Sequence, residues 1–182
     1  MANIFPGMES LGLIILALML AAAALIDLKF QRIPNKITFP AAIIGVVINT
    51  FSNGLDGFLF GLQGLGLGVG LFIIAYIIGK MGAGDAKLMG AVGAFIGPKG
   101  VVIAFIYIAI AGGIYSLFLI LLHRQRFKGF FKEQYVNTLV LFTTKKLELG
   151  NKHEQGRPSL CYGVAIAVGT WLYIGLALVG AN

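Results

Sequence analysis

The chain carries only seven acidic residues, and two of them sit where an acid is expensive. Asp27 ends the apolar run Ala21-Ala22-Ala23-Ala24-Leu25-Ile26, and Asp85 lies inside Met81-Gly82-Ala83-Gly84-Asp85-Ala86-Lys87-Leu88. The other five, Glu9, Asp56, Glu133, Glu148 and Glu154, fall in predicted loops or near ends, where a solvated carboxylate needs no explanation. An acid at membrane depth costs about 2.5–3.5 kcal/mol on insertion scales, so its retention points to a role. Two carboxyl groups within a few ångströms of each other cannot both ionise easily, so they titrate as a pair. The ionised member can take a proton from water while the protonated member polarises a carbonyl. That is hydrolytic chemistry with no metal, cofactor or covalent intermediate. Each acid also has a plainer reading. Asp27 could pair with Lys29 or Arg32 at the membrane boundary, and Asp85 could cap a helix N-terminus, where free amides and the dipole favour an acid.

Other chemistries find little support. His123 and His153 are far apart within a basic stretch, and the single cysteine, Cys161, has no neighbouring base and permits no internal disulfide. Gly79, Gly82 and Gly84 interrupt the helical pattern around Asp85 and predict backbone that departs from the helix there. Such backbone is tolerated at this depth where it lines a wet cavity or is buried in protein. Gly61, Gly64, Gly66, Gly68 and Gly70 read instead as close helix packing through small residues.

The elements that must position these residues follow from composition. The 182 residues are 58% hydrophobic and 12% charged; a soluble domain carries about 25% charged residues. The apolar residues run in long stretches, so a bilayer is the expected solvent. Six spans are predicted, over residues 10–26, 37–51, 58–78, 86–97, 101–122 and 160–179, in a single all-α domain covering 1–182. The first run lacks a basic leader and a cleavage site, so it reads as a retained helix. With six spans, every one of the 14 Lys and Arg residues except Lys99 falls on one side. The positive-inside rule makes that side cytoplasmic and places both termini outside. The net charge of +7 then forms a belt against anionic headgroups, without nucleic acid. Phe130, Phe131 and Tyr135, with 136–142, predict an interfacial helix between the fifth and sixth spans. The same topology places Asp27 and Asp85 at the cytoplasmic ends of their helices.

Gly82-Ala83-Gly84-Asp85 has the GxGD form of intramembrane aspartyl proteases. Its continuation Ala86-Lys87-Leu88, with the upstream Asp27 and Arg32-Ile33-Pro34-Asn35, resembles the type IV prepilin peptidase family. Cys161-Tyr162-Gly163-Val164-Ala165 is similar to that family's Pro-Tyr-Gly-x-Ala helix start, with cysteine in place of proline. The resemblance implies that Asp27 and Asp85 are a catalytic dyad in a multi-pass protein of a prokaryotic cytoplasmic membrane. It implies pilin-like precursors as substrates, cut at the cytoplasmic face between a short leader and an apolar helix. Gly82, Gly84, Pro34, Asn35 and Lys87 would shape the site or contact substrate. The larger members carry a cytoplasmic insert with paired CxxC motifs and also N-methylate the product. The segment between the first two spans here is short and cysteine-free, so N-methylation is not expected. The Tyr-Asp and Pro-Ala-Leu elements of the presenilin branch are missing. A small transporter using both acids as a proton relay, and a passive assembly subunit, are the rival readings.

Overall fold

A computed structural model of the chain describes residues 10–77, 82–122 and 162–180. The order is α1 (Ser10–Phe30), α2 (Asn35–Ile77), α3 (Ala83–Leu122) and α4 (Tyr162–Gly180). All four are long and apolar enough to cross a membrane. The predicted interfacial helix, His123, His153, Cys161 and Gly79 lie outside the described residues. The chain divides into two compact units, Met1–Gly112 with Cys161–Asn182, and Gly113–Leu160. In the second unit the described residues, 113–122, are the last turns of α3, with Ile114, Leu117, Phe118 and Leu121 exposed.

Helix α1 continues past Asp27 to Phe30, so the acid stands within the last full turn and not at its end. The helix is stopped by Gln31, which adopts a left-handed conformation (φ 52) and whose N–H donates to the Asp27 carbonyl oxygen at 2.8 Å. Glycine usually fills this position, because a Cβ there costs roughly 1 kcal/mol. Gln31→Gly is therefore expected to raise stability by about 0.5–1 kcal/mol, read as a higher melting temperature in detergent micelles. An unchanged or lowered melting point would mean that the glutamine side chain contributes something the cap does not.

Helices α2 and α3 contain 43 and 40 residues. Drawn straight, each would run roughly 60 Å, about twice the hydrocarbon thickness. Neither is straight. In α2 the helical geometry breaks at Asn53 (φ −132, ψ 16) and Gly54 (φ 58, ψ −132). Beyond the break the chain folds back, with Gly57 against the Asn49 carbonyl and Gly61 against Val46. In α3 the break is at Gly97 (φ 69, ψ −180). Pro98 follows directly at the start of the next segment, where its missing N–H removes no helical bond. Gly93 then approaches Val101 across that turn. Each long helix is thus a tight hairpin hinged on a glycine in a conformation that L side chains rarely adopt. The hinges are narrower than the loops expected over 52–57 and 98–100; Asp56 lies inside the second half of α2.

Contacts assign the direction of each segment. Residues 35–52 run parallel to 83–96, since Asn35 meets Lys87 while Gly45 meets Ala94 and Phe95. Residues 55–77 run antiparallel to 83–96, with Gly64 on Gly93 and Gly68 on Met89. Helix α4 runs antiparallel to the segment after Gly97, with Gly169 on Ile108 and Ala165 on Gly112. It is also antiparallel to α1, with Gly163 on Asp27. Asp27, Asn35, Asp85 and Gly163 therefore share one end of the bundle, and the hinges at Gly54 and Gly97 occupy the other. At the hinge end, buried Asn49 donates from Nδ2 to the Ala94 and Phe95 carbonyls at 2.9 and 3.2 Å. These are carbonyls that the end of segment 83–96 cannot satisfy itself.

The core is formed by Leu16, Leu20, Leu88, Met89, Val92, Phe95 and Ile166, with Phe72 and Phe105 edge to face at 5.7 Å. The exterior is equally apolar: Leu11, Ile14, Leu18, Leu25, Ile43, Ile106 and Ile110 are all exposed. Contiguous apolar surface of this extent requires a nonaqueous partner, and lipid supplies one.

Candidate active site

The site is built from three helix ends. Asp27 is 5% exposed, held on the last full turn of α1. Its Oδ2 accepts the N–H of Gly163, the second residue of α4, at 2.9 Å. Asp85 is 8% exposed, at the third position of α3. Its Oδ2 accepts the Gly82 N–H at 3.2 Å, and its own N–H donates to the Gly82 carbonyl at 3.1 Å. That reciprocal pair is the reach-back half of a capping box. Asp85 does cap its helix, then, but from the third helical position and not as the N-cap residue. The cap engages one carboxyl oxygen, and the side chain stays within electrostatic reach of Asp27.

Of the two glycines of the motif, Gly82 lies outside the helices, where the sequence predicts backbone that departs from the helix, whereas Gly84 does not. Gly84 lies inside α3, and neither it nor Gly82 has a positive φ. What Gly84 provides is room: a Cβ there would stand 3.2 Å from the Ile33 Cβ and 3.5 Å from the Ile33 backbone. The missing side chain lets the turn between α1 and α2 lie directly on the start of α3, tying the acid-bearing ends together. The Pro34 carbonyl accepts the Ile37 N–H at 3.0 Å, immediately before α2. Asn35 accepts a hydrogen bond at Oδ1 from Lys87 Nζ at 2.9 Å, and the same ammonium lies 5.6 Å from the Phe39 ring. Lys87 therefore latches the starts of α2 and α3 to each other. Lys29 lies over the Phe30 ring at 5.4 Å.

Sequence reasoning did not single out Gly163, Ile33 or Phe39 as site residues. The signals were places in motifs, Gly163 in the segment that resembles a helix start and Ile33 in Arg32-Ile33-Pro34-Asn35; Phe39 is an ordinary apolar residue on paper. Among the described residues no three His, Cys, Asp or Glu side chains come together as a metal site would require.

A polytopic helical protein with two buried carboxyl groups from separate helices, gathered at one end of the bundle, is the class that fold and site define. Residues 14–117 match the model of the type IV leader peptidase family, and the chain belongs to that family. Both acids lie within the matched stretch. The chain is similar to the "Prepilin leader peptidase/N-methyltransferase" of Aeromonas salmonicida, 30% identical over 130 residues, covering 66% of this chain and 43% of that protein. It is similar to the protein of the same description from Xanthomonas campestris pv. campestris, 28% identical over 114 residues, covering 59% of this chain and 40% of the relative. The chain thus spans about two fifths of the length of these curated relatives. No solved structure matches it.

Proposed function

We propose that the chain is an aspartyl endopeptidase that removes the short leader from pilin-like precursors, with Asp27 and Asp85 as its catalytic pair. One observation carries the reading: two carboxyl groups 58 positions apart in sequence are buried at the same end of the bundle. In that pair the ionised member takes a proton from an attacking water as its oxygen bonds to the scissile carbonyl carbon. The protonated member hydrogen-bonds the carbonyl oxygen where negative charge develops. Collapse of the tetrahedral intermediate breaks the C–N bond, and the leaving amine takes a proton from the pair.

Counting each half of α2 and α3 as a span, the described residues supply six, with both termini outside and the acids at the cytoplasmic face of a prokaryotic membrane. Among the described residues, Lys29, Arg32, Lys36 and Lys87 lie at the end that holds the acids and Lys99 at the hinge end, in keeping with that orientation. These basic residues would sit against anionic headgroups and beside the substrate's leader. Gly82, Gly84, Pro34, Asn35 and Lys87 shape the site, within one peptidase domain. The turn at 31–34 is short and cysteine-free, which supports a peptidase that does not N-methylate its product.

The test is to incubate purified protein in detergent or proteoliposomes with a pilin-like precursor and determine the mass of the product. Cleavage between leader and apolar helix is the expected result. No cleavage of any such precursor, with proton flux in proteoliposomes, would overturn the reading. A product bearing an added methyl group when a methyl donor is present would overturn the peptidase-only part.

A further inference from the structure

The Gly163 backbone, delivered by a helix 136 positions away along the chain, holds the Asp27 carboxyl group. We propose that Gly163 is a positioning residue for Asp27, setting that carboxyl group through its amide and through the side chain it lacks. The inference rests on the assignment of Asp27 to the catalytic pair.

Three observations carry it. Gly163 is the second residue of α4, so its N–H is among the first amides that have no partner within the helix. Donating it to Asp27 Oδ2 at 2.9 Å breaks no helical bond and directs the favourable end of the helix dipole at the carboxyl group. Next, a Cβ at position 163 would stand 2.9 Å from Asp27 Oδ2, 3.0 Å from its Cβ and 3.1 Å from its Cγ. All three nearest atoms belong to that one side chain. The packing glycines of the bundle differ: Gly64 and Gly93 meet each other's backbone, and Gly169 meets Ile108. Finally, α4 is placed closely by its other small residues. A Cβ at Gly169 would lie 2.5 Å from the Ile108 Cα, and Ala165 packs on Gly112. With its flank so constrained, α4 cannot slide away to admit a methyl group at 163, so the carboxyl group must move instead.

Displacement of a reacting group by about 1 Å is enough for roughly a 100-fold loss of rate. Gly163→Ala is therefore expected to lower kcat for precursor cleavage by about 10–100-fold with KM within twofold, and to shift the pH profile of kcat/KM. A loss of folded protein would lower that profile without shifting it. Gly175→Ala, on the same helix with nothing within 4 Å, is the control and should leave both parameters unchanged.

A melting-temperature cycle covers the case in which alanine disturbs folding. The clash is with the Asp27 side chain, so the drop caused by Gly163→Ala should shrink when combined with Asp27→Ala. Wild-type kinetics and pH profile in Gly163→Ala would overturn the proposal, as would an equal melting-point drop in both backgrounds. If Asp27→Asn itself cleaves at the wild-type rate, the catalytic assignment fails first, and the result is distinguishable from either.

Discussion

Asp85→Asn and Asp27→Asn are each expected to lower kcat/KM for precursor cleavage by about 1,000-fold or more, with the fold intact. General acid–base groups contribute about 100- to 10,000-fold, and a carboxyl pair that works as a unit loses most of its action when either member is lost. Combining the two substitutions should therefore cost little more than either alone. The fold should survive because an Asn side chain keeps the shape of Asp and still offers an oxygen. That oxygen can accept the Gly163 N–H at position 27 and the Gly82 N–H at position 85. Removing a buried ionisable group can even stabilise the folded state. Cleavage by product mass, with melting temperature measured on the same preparations, checks both halves. Wild-type activity in either variant would refute that residue's assignment.

The second large effect is on folding. Gly93→Leu is expected to leave little correctly folded protein, and Gly93→Ala to cost about 1–3 kcal/mol. A Cβ at Gly93 would collide with the Gly64 carbonyl oxygen, and Val101 Cγ2 would be 2.9 Å away. From the other side, a Cβ at Gly64 would strike the Gly93 carbonyl oxygen and stand 2.7 Å from the Gly97 Cα. The obstructing atoms are backbone on both sides, so no rotamer change relieves the contact and the segments must separate. In a membrane that separation sacrifices van der Waals packing, the main attraction between helices surrounded by lipid. Gly66 and Gly70, with nothing within 4 Å, supply the comparison. Alanine at either should be neutral or stabilise by up to about 1 kcal/mol, through helix propensity alone. Size-exclusion profiles and melting temperatures in one detergent rank the four variants. Equal behaviour of Gly93→Ala and Gly66→Ala would refute the packing account.

Residue by residue, the chain's own order already carried the helical, membrane-compatible character and the two acids worth attention. Runs of apolar residues announce helices because spanning backbone must satisfy its own hydrogen bonds. An acid interrupting such a run is conspicuous because its burial is costly. The motif around Asp85 and the Ile33-Pro34-Asn35 turn were local enough to read directly.

The tertiary structure alone decided how the hinges close and who holds whom. Gly54 and Gly97 needed coordinates to be recognised as the reversal points, because a permissive glycine is compatible with a helix until a φ near +60 is seen. Gly82 and Gly84 suggested freed backbone, whereas Gly84 proved to be a seat for Ile33. The hold of α4 on Asp27 links residues 136 positions apart through a backbone amide, a group every residue but proline possesses. A side-chain type can advertise chemistry in a sequence. A main-chain donor cannot, because its identity is the same everywhere and only its position in space distinguishes it.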